Sequence, residues 1–254
     1  MNNIIHYNNL KFLFGLSWYD MKSRYARTRL GNIWPSLVML ITSTLLAYVY
    51  AYSFEMSKGI VFKYIISGYP LWILTSSCIM DSTQAFKTSS SYIRNLALPS
   101  YIWIFRVLLR NIITYAHNIA LTVLVFVFFF SEINIFNFLL FQIIAFFLIL
   151  LLLVPIAVIT GIICLFFEAL ISLVANSITF LMFASPIFIG IDGIRKIPYL
   201  EFNPITAILN YAHQGVNIYD SEISFIPYLL FLITAIMIST FLYKKKHKLI
   251  PLML

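Results

Sequence analysis

The sequence predicts an all-α membrane protein: six transmembrane helices, an amphipathic interface helix ahead of the first, and short re-entrant helices between the fifth and sixth. Three observations lead there. Hydrophobic residues make up 61% of the 254, charged residues 10%, and mean hydropathy is +0.93, against about 25% charged in a soluble domain. Uncharged runs of span length recur along the chain. Finally, Lys22, Arg24, Arg27 and Arg29 stand directly before the uncharged run Ile33 to Phe54. About 20 apolar residues cross the hydrocarbon core, and basic residues flanking a first span stay in the cytoplasm.

The first element, over 9–31, reads as a helix in the membrane plane. At 100° per residue Leu10, Leu13, Phe14, Trp18, Met21 and Tyr25 share a face, with Lys11, Lys22 and Arg27 elsewhere. Gly31 is expected to end it and Pro35 to open the first span within its first turn. No cleaved signal peptide is expected, because the residues before 33 are polar or amphipathic.

The next runs are 60–80, 111–130, 135–167, 169–191 and 225–243. Only Glu168 interrupts 135–191, and parity divides it: Lys244, Lys245, Lys246 and Lys248 belong in the cytoplasm with the amino terminus, so the span number is even. Thirteen of the 17 Lys and Arg then fall on the cytoplasmic side, and the +8 net charge reflects topology and anionic lipid instead of nucleic acid. Cys78 and Cys164 lack C-x-x-C spacing, and His6, His117, His213 and His247 are scattered. Neither a disulfide nor a metal site is expected.

Two segments between spans stand out. Residues 81–101, polar and serine-rich, suggest a short cytoplasmic helix with Lys87 and Arg94, whose apolar set Ala85, Phe86, Tyr92, Ile93 and Leu96 could dock into another protein. Residues 192–224 lie outside. There Asn203 reads as an N-cap and Pro204 as the first helical residue of a helix running to Gly215, too short to span. No G-x-x-x-x-G-K-[ST] motif is present, so the chain supplies no phosphate loop. Lys63 reads as a snorkelling side chain.

The basic helix running into LGNIWP, the leucine-proline loop after span two, Ser185-Pro186 late in span five and the Asn203-Pro204 helix before span six resemble, in that order over the whole chain, the polysaccharide-export ABC transporter permeases. These subunits export lipid-linked O-antigen, capsular polysaccharide or teichoic acid across the bacterial inner membrane. The resemblance implies a single permease domain: interface helix 1–32, spans one to five over 33–191, periplasmic gate helices in 192–224, span six over 225–243 and a cytoplasmic tail 244–254. It implies a homodimer joined to two copies of an ATPase subunit, which would hold ATP and Mg; this chain would bind no cofactor and catalyse nothing. Lys22, Arg24, Arg27 and Arg29 would form the cytoplasmic gate near the anionic headgroup, with Arg well suited to pyrophosphate. Lys87, Tyr92 and Arg94 would meet the ATPase, and Asn203 and Pro204 would belong to the periplasmic gate. Aromatic rings suit apolar sugar faces, so Trp34, Tyr48, Tyr50, Tyr52, Phe180, Phe183 and Phe188 are candidates for a polysaccharide track. The family's Arg-Asp pair after span four is replaced by Phe167-Glu168, and an arginine late in the external helix by His213. A drug or small-lipid permease and a membrane-embedded transferase are the alternatives; Asp81 and Glu168 lack the companions a transferase needs.

Overall fold

The computed structural model describes residues 2–26, 28–53, 55–96, 98–187, 202–216 and 224–254. Arg27, Phe188 and residues 192–201 of the expected gate lie outside them. Throughout the described residues the regular structure is helical, and four helices are long and apolar enough to cross a membrane: α2 (Trp34–Ser53), α6 (Tyr101–Phe129), α7 (Ile135–Phe166) and α10 (Ile226–Lys246). This is a membrane-embedded, multi-pass protein.

Ahead of them α1 covers Asn2–Arg24. It stops earlier than the glycine signal suggests because Thr28 donates its hydroxyl to Tyr25 O at 2.8 Å, turning the chain locally. Gly31, at φ +54°, then opens a single 3-10 turn, Gly31–Ile33, that leads into α2. The apolar face of α1 is divided. Leu13, Ser17 and Met21 are buried while Phe14 and Trp18 are exposed, because α1 packs along α6 and keeps only part of its hydrophobic arc for other company.

α3 (Lys58–Thr83) is the hub. At 26 residues it is long enough to span, yet its serines, threonines and terminal charges dilute its hydropathy. Burial compensates: α2, α6, α7 and α8 (Leu170–Phe183) all pack on it, in an arc whose neighbours also touch one another. Gly161 of α7 lets that helix approach closely, since a Cβ there would lie 2.7 Å from Ile104 Cδ1 and 3.1 Å from Ser82 O. α7 ends at Phe166, and the turn through Glu168 leads into the 14-residue α8.

Between α3 and α6 lie two short helices, α4 (Ala85–Thr88) and α5 (Ser90–Asn95). Ala85, Phe86 and Ile93 point into the core. The apolar set expected to dock elsewhere is thus largely consumed by the chain's own bundle; amphipathicity announces a buried face without saying what buries it.

α9 (Pro204–Gln214) starts where the sequence places it. The Asn203 side chain accepts from Ile205 N at 3.0 Å and donates to Ala184 O at 3.1 Å, so one residue caps α9 and ties it to the end of α8. The helix is buried against α7 and α3. His213 stacks on Tyr64, ring centroids 3.9 Å apart, in space left by Gly68, where a Cβ would lie 2.5 Å from Nε2.

Candidate functional site

Charge concentrates at the end of the bundle that carries α1. Arg106 of α6 grips Asp20 of α1 with two charge-assisted bonds, Nε to Oδ2 at 2.6 Å and a terminal nitrogen to Oδ1 at 2.7 Å. Its other terminal nitrogen donates to Ser89 Oγ at 3.1 Å, and the guanidinium lies 5.2 Å from the Tyr92 ring centroid. Tyr92 in turn stacks on Trp103 at 5.6 Å. One arginine therefore joins α1, α6 and the α4–α5 segment, with bidentate geometry that lysine could not reproduce.

A second rung lies one turn along. Asp81 near the end of α3 accepts from Arg24 at 3.2 Å and from Arg110 at 2.7 Å, with Asn111 Nδ2 donating at 3.0 Å. Ser17 Oγ adds a bond to Arg106 O at 3.1 Å. A fourth ion pair, Lys87 to Glu168, holds α4 to the α7–α8 turn. Interface helix, α4–α5 segment and inter-helix turn thus form one ionic framework; its members Asp20, Arg106 and Arg110 carry no motif in the sequence, and Asp81 stands out there only as a lone carboxylate.

The gate and coupling candidates divide within this framework. Arg24 is occupied by Asp81, Lys87 by Glu168, and Tyr92 lies between Trp103 and Arg106. Lys22, Arg29 and Arg94 are exposed, and none has an ion pair among the described residues. The signal for the pairings was available only as opposite charges at the ends of spans.

The second feature is an open face. α3 keeps a half-buried stripe of Tyr69, Ile73, Ser76 and Met80, and the helices at the two ends of the packing arc, α2 and α8, keep exposed faces. On α2 the exposed residues Trp34, Val38, Ile41, Leu45, Tyr48 and Tyr52 recur every three or four positions. Tyr50 is partly buried against the core. On α8, Phe180 and Phe183 are exposed beside Ser172, Asn176, Ser177 and Thr179. Hydroxyls there bond to their own helix, as Ser177 does to Leu173 O at 2.8 Å, but a mid-helix asparagine facing lipid is costly. Such a surface suits a polar path or another protein better than hydrocarbon.

At the opposite end Lys63 pairs with Glu132 at 2.9 Å, reaching the turn between α6 and α7. The hydrogen bond from Lys63 holds the Glu132 carboxyl below its usual range. Among the described residues no three His, Cys, Asp or Glu side chains gather as metal ligands. The chain matches none of the protein-family models and none of the curated proteins compared with it.

Proposed function

We propose that this chain is the membrane subunit of an ATP-driven exporter that moves a lipid-linked polysaccharide outward from the cytoplasm across the bacterial inner membrane. In this reading it has six spans, counting α3 and α8, with both termini cytoplasmic and α9 in the periplasmic gate. It works as a homodimer with two ATPase subunits. The observation that carries the proposal is the exposed aromatic and hydroxyl-bearing surface of α2 and α8, since rings stack on sugar faces while Asn176 and the serines meet hydroxyls. Trp34, Tyr48, Tyr52, Phe180 and Phe183 form the track. A second copy encloses it.

The ionic framework supports the same reading. Lys22 and Arg29, exposed on the approach to α2, attract the pyrophosphate head, while Arg24 serves as a latch on Asp81. Closure of the ATPases moves α4–α5, and Arg106 and Lys87 carry that movement to α1 and the α7–α8 turn. The test is reconstitution with a phosphate-loop ATPase subunit of the exporter class, sought first among the reading frames neighbouring this one. Hydrolysis is expected to rise on adding lipid-linked polysaccharide, and Asn176→Leu with Tyr48→Ala is expected to abolish that rise without dissociating the complex. An ATPase that never associates, or hydrolysis indifferent to the glycolipid, would sink the proposal.

A further inference from the structure

We infer that the segment following α10 joins α5 in a single docking surface for a cytoplasmic protein offering an apolar groove rimmed by carboxylates. The inference rests on the exporter reading, in which that protein is the ATPase subunit, and it assigns the contact to residues outside the α4–α5 candidates.

Past Lys246 the chain does not trail away. Tyr243 stacks on His247 with centroids 5.3 Å apart and lies 6.3 Å from Tyr101, which fixes the exit from α10. A 3-10 turn, Ile250–Leu252, then packs on α5. Ile250 is fully buried in the main core, where Ile93 of α5 also lies. With Ile250 turned inward, the tight turn throws its neighbours out: Leu252 is 79% and Met253 51% exposed. Leu249, Arg94 of α5 and Leu96 just past its end are exposed too. An apolar patch of this kind, outside the span-length helices, marks a surface that becomes covered.

Charge selects the occupant. Among the described residues, the three side-chain carboxylates at this end are taken by the chain's own cations: Asp20 by Arg106, Asp81 by Arg24 and Arg110, Glu168 by Lys87. Arg94, Lys244 and Lys248 have no ion pair among the described residues, while Lys245 turns back over Phe241, so the patch is apolar with basic residues on both of its segments and calls for a negative rim opposite it. Anionic lipid also carries negative charge, but the polarity of the neighbouring face disfavours it. The turn packs on α5, whose exposed side chains Ser91, Arg94 and Asn95 suit water and a protein partner better than hydrocarbon.

The experiment places a photoreactive residue at Leu252, Met253, Arg94 or, as a membrane control, Phe241 of α10, in the full chain in its own membrane, and identifies adducts by mass. ATPase adducts are expected at 252 and 253 and lipid adducts at 241. In parallel, Leu252→Asp with Met253→Asp is expected to weaken ATPase association tenfold or more while leaving the melting temperature unchanged, because both side chains are exposed. If the ATPase crosslinks through a probe at Arg94 but never through 252 or 253, the composite surface is overturned and the exporter reading survives. If 252 and 253 yield only lipid, or only a second copy of this chain, the inference is likewise overturned. If no probe finds an ATPase, the exporter reading fails and the inference fails with it.

Discussion

Removing the guanidinium of Arg106 tests the ionic framework at its most connected point. Asp20 and Arg106 have side chains only 14% and 11% exposed, so solvent screening discounts the pair little. With charge centres about 4 Å apart and an effective dielectric near 20, the attraction is about 4 kcal/mol. Breaking such a pair by deleting one partner costs about 3–5 kcal/mol, since the other charge is stranded. Loss of the Tyr92 contact adds roughly 0.5–1 kcal/mol. Arg106→Ala is therefore expected to lower the opening free energy of α1 by about 3.5–6 kcal/mol, or roughly two and a half to four powers of ten in amide exchange protection of that helix. Asp20→Asn alone keeps a hydrogen bond and costs less, and the double variant should lie well short of the sum, with a coupling of about 2–3 kcal/mol. Hydrogen exchange of the purified chain in lipid nanodiscs reads all three. Additivity within about 0.5 kcal/mol, or α1 protection unchanged in Arg106→Ala, would refute the view that this pair holds the interface helix.

Three further outcomes are expected. The Glu132 carboxyl, held down by its hydrogen bond from Lys63, should titrate below the free value of about 4.3; its contribution is present above that value, fades as pH falls through the lowered midpoint, and should vanish in Lys63→Met, as carbon-detected NMR of the side chain would report. Asn203→Ala removes both the cap on Ile205 N and the bond to Ala184 O and should cost about 1–2 kcal/mol, with exchange rising first at the start of α9; an effect spread evenly over the bundle would argue against a local cap. Gly161→Val drives a side chain into Ile104 and the Ser82 carbonyl, so thermal unfolding should show a loss of about 1–3 kcal/mol, whereas Gly15→Ala, with open space around its Cβ position, should not destabilise by overpacking.

What could be read from the sequence was what local chemistry dictates. Asn203-Pro204 announced a helix start because the cap is made by the next two residues. The break near Glu168 followed from the parity of the spans, with one charge in an apolar run to mark its place. The partners of Lys63 and Arg106 lie 69 and 86 positions away, and nothing in the spacing of single charges couples positions so far apart. Ile93 and Phe86 showed that the segment after α3 is amphipathic, but the choice between burying that face at home and offering it to another protein depends on where α7 passes, a property of the whole bundle. For α3 the hydropathy is diluted by the very serines and threonines that bond back to their own helix, as Ser82 does to Cys78 O at 2.6 Å.

The two rungs between α1 and α6 carry a directional consequence. On α1 an acid is followed four residues later by a base, Asp20 then Arg24; on α6 two bases stand at the same interval, Arg106 and Arg110, with Asp81 supplied from a third helix. If α1 slid back by one turn, Arg24 would face Arg106, cation against cation. If it slid forward, Asp20 would still meet a base at Arg110, but Arg24 would leave Asp81 behind. α1 is thus keyed to a single axial setting, like a toothed rack with one notch of unlike shape. An axial displacement of this helix must therefore break a rung before it begins, so α1 can pass on movement only together with α6 and the end of α3.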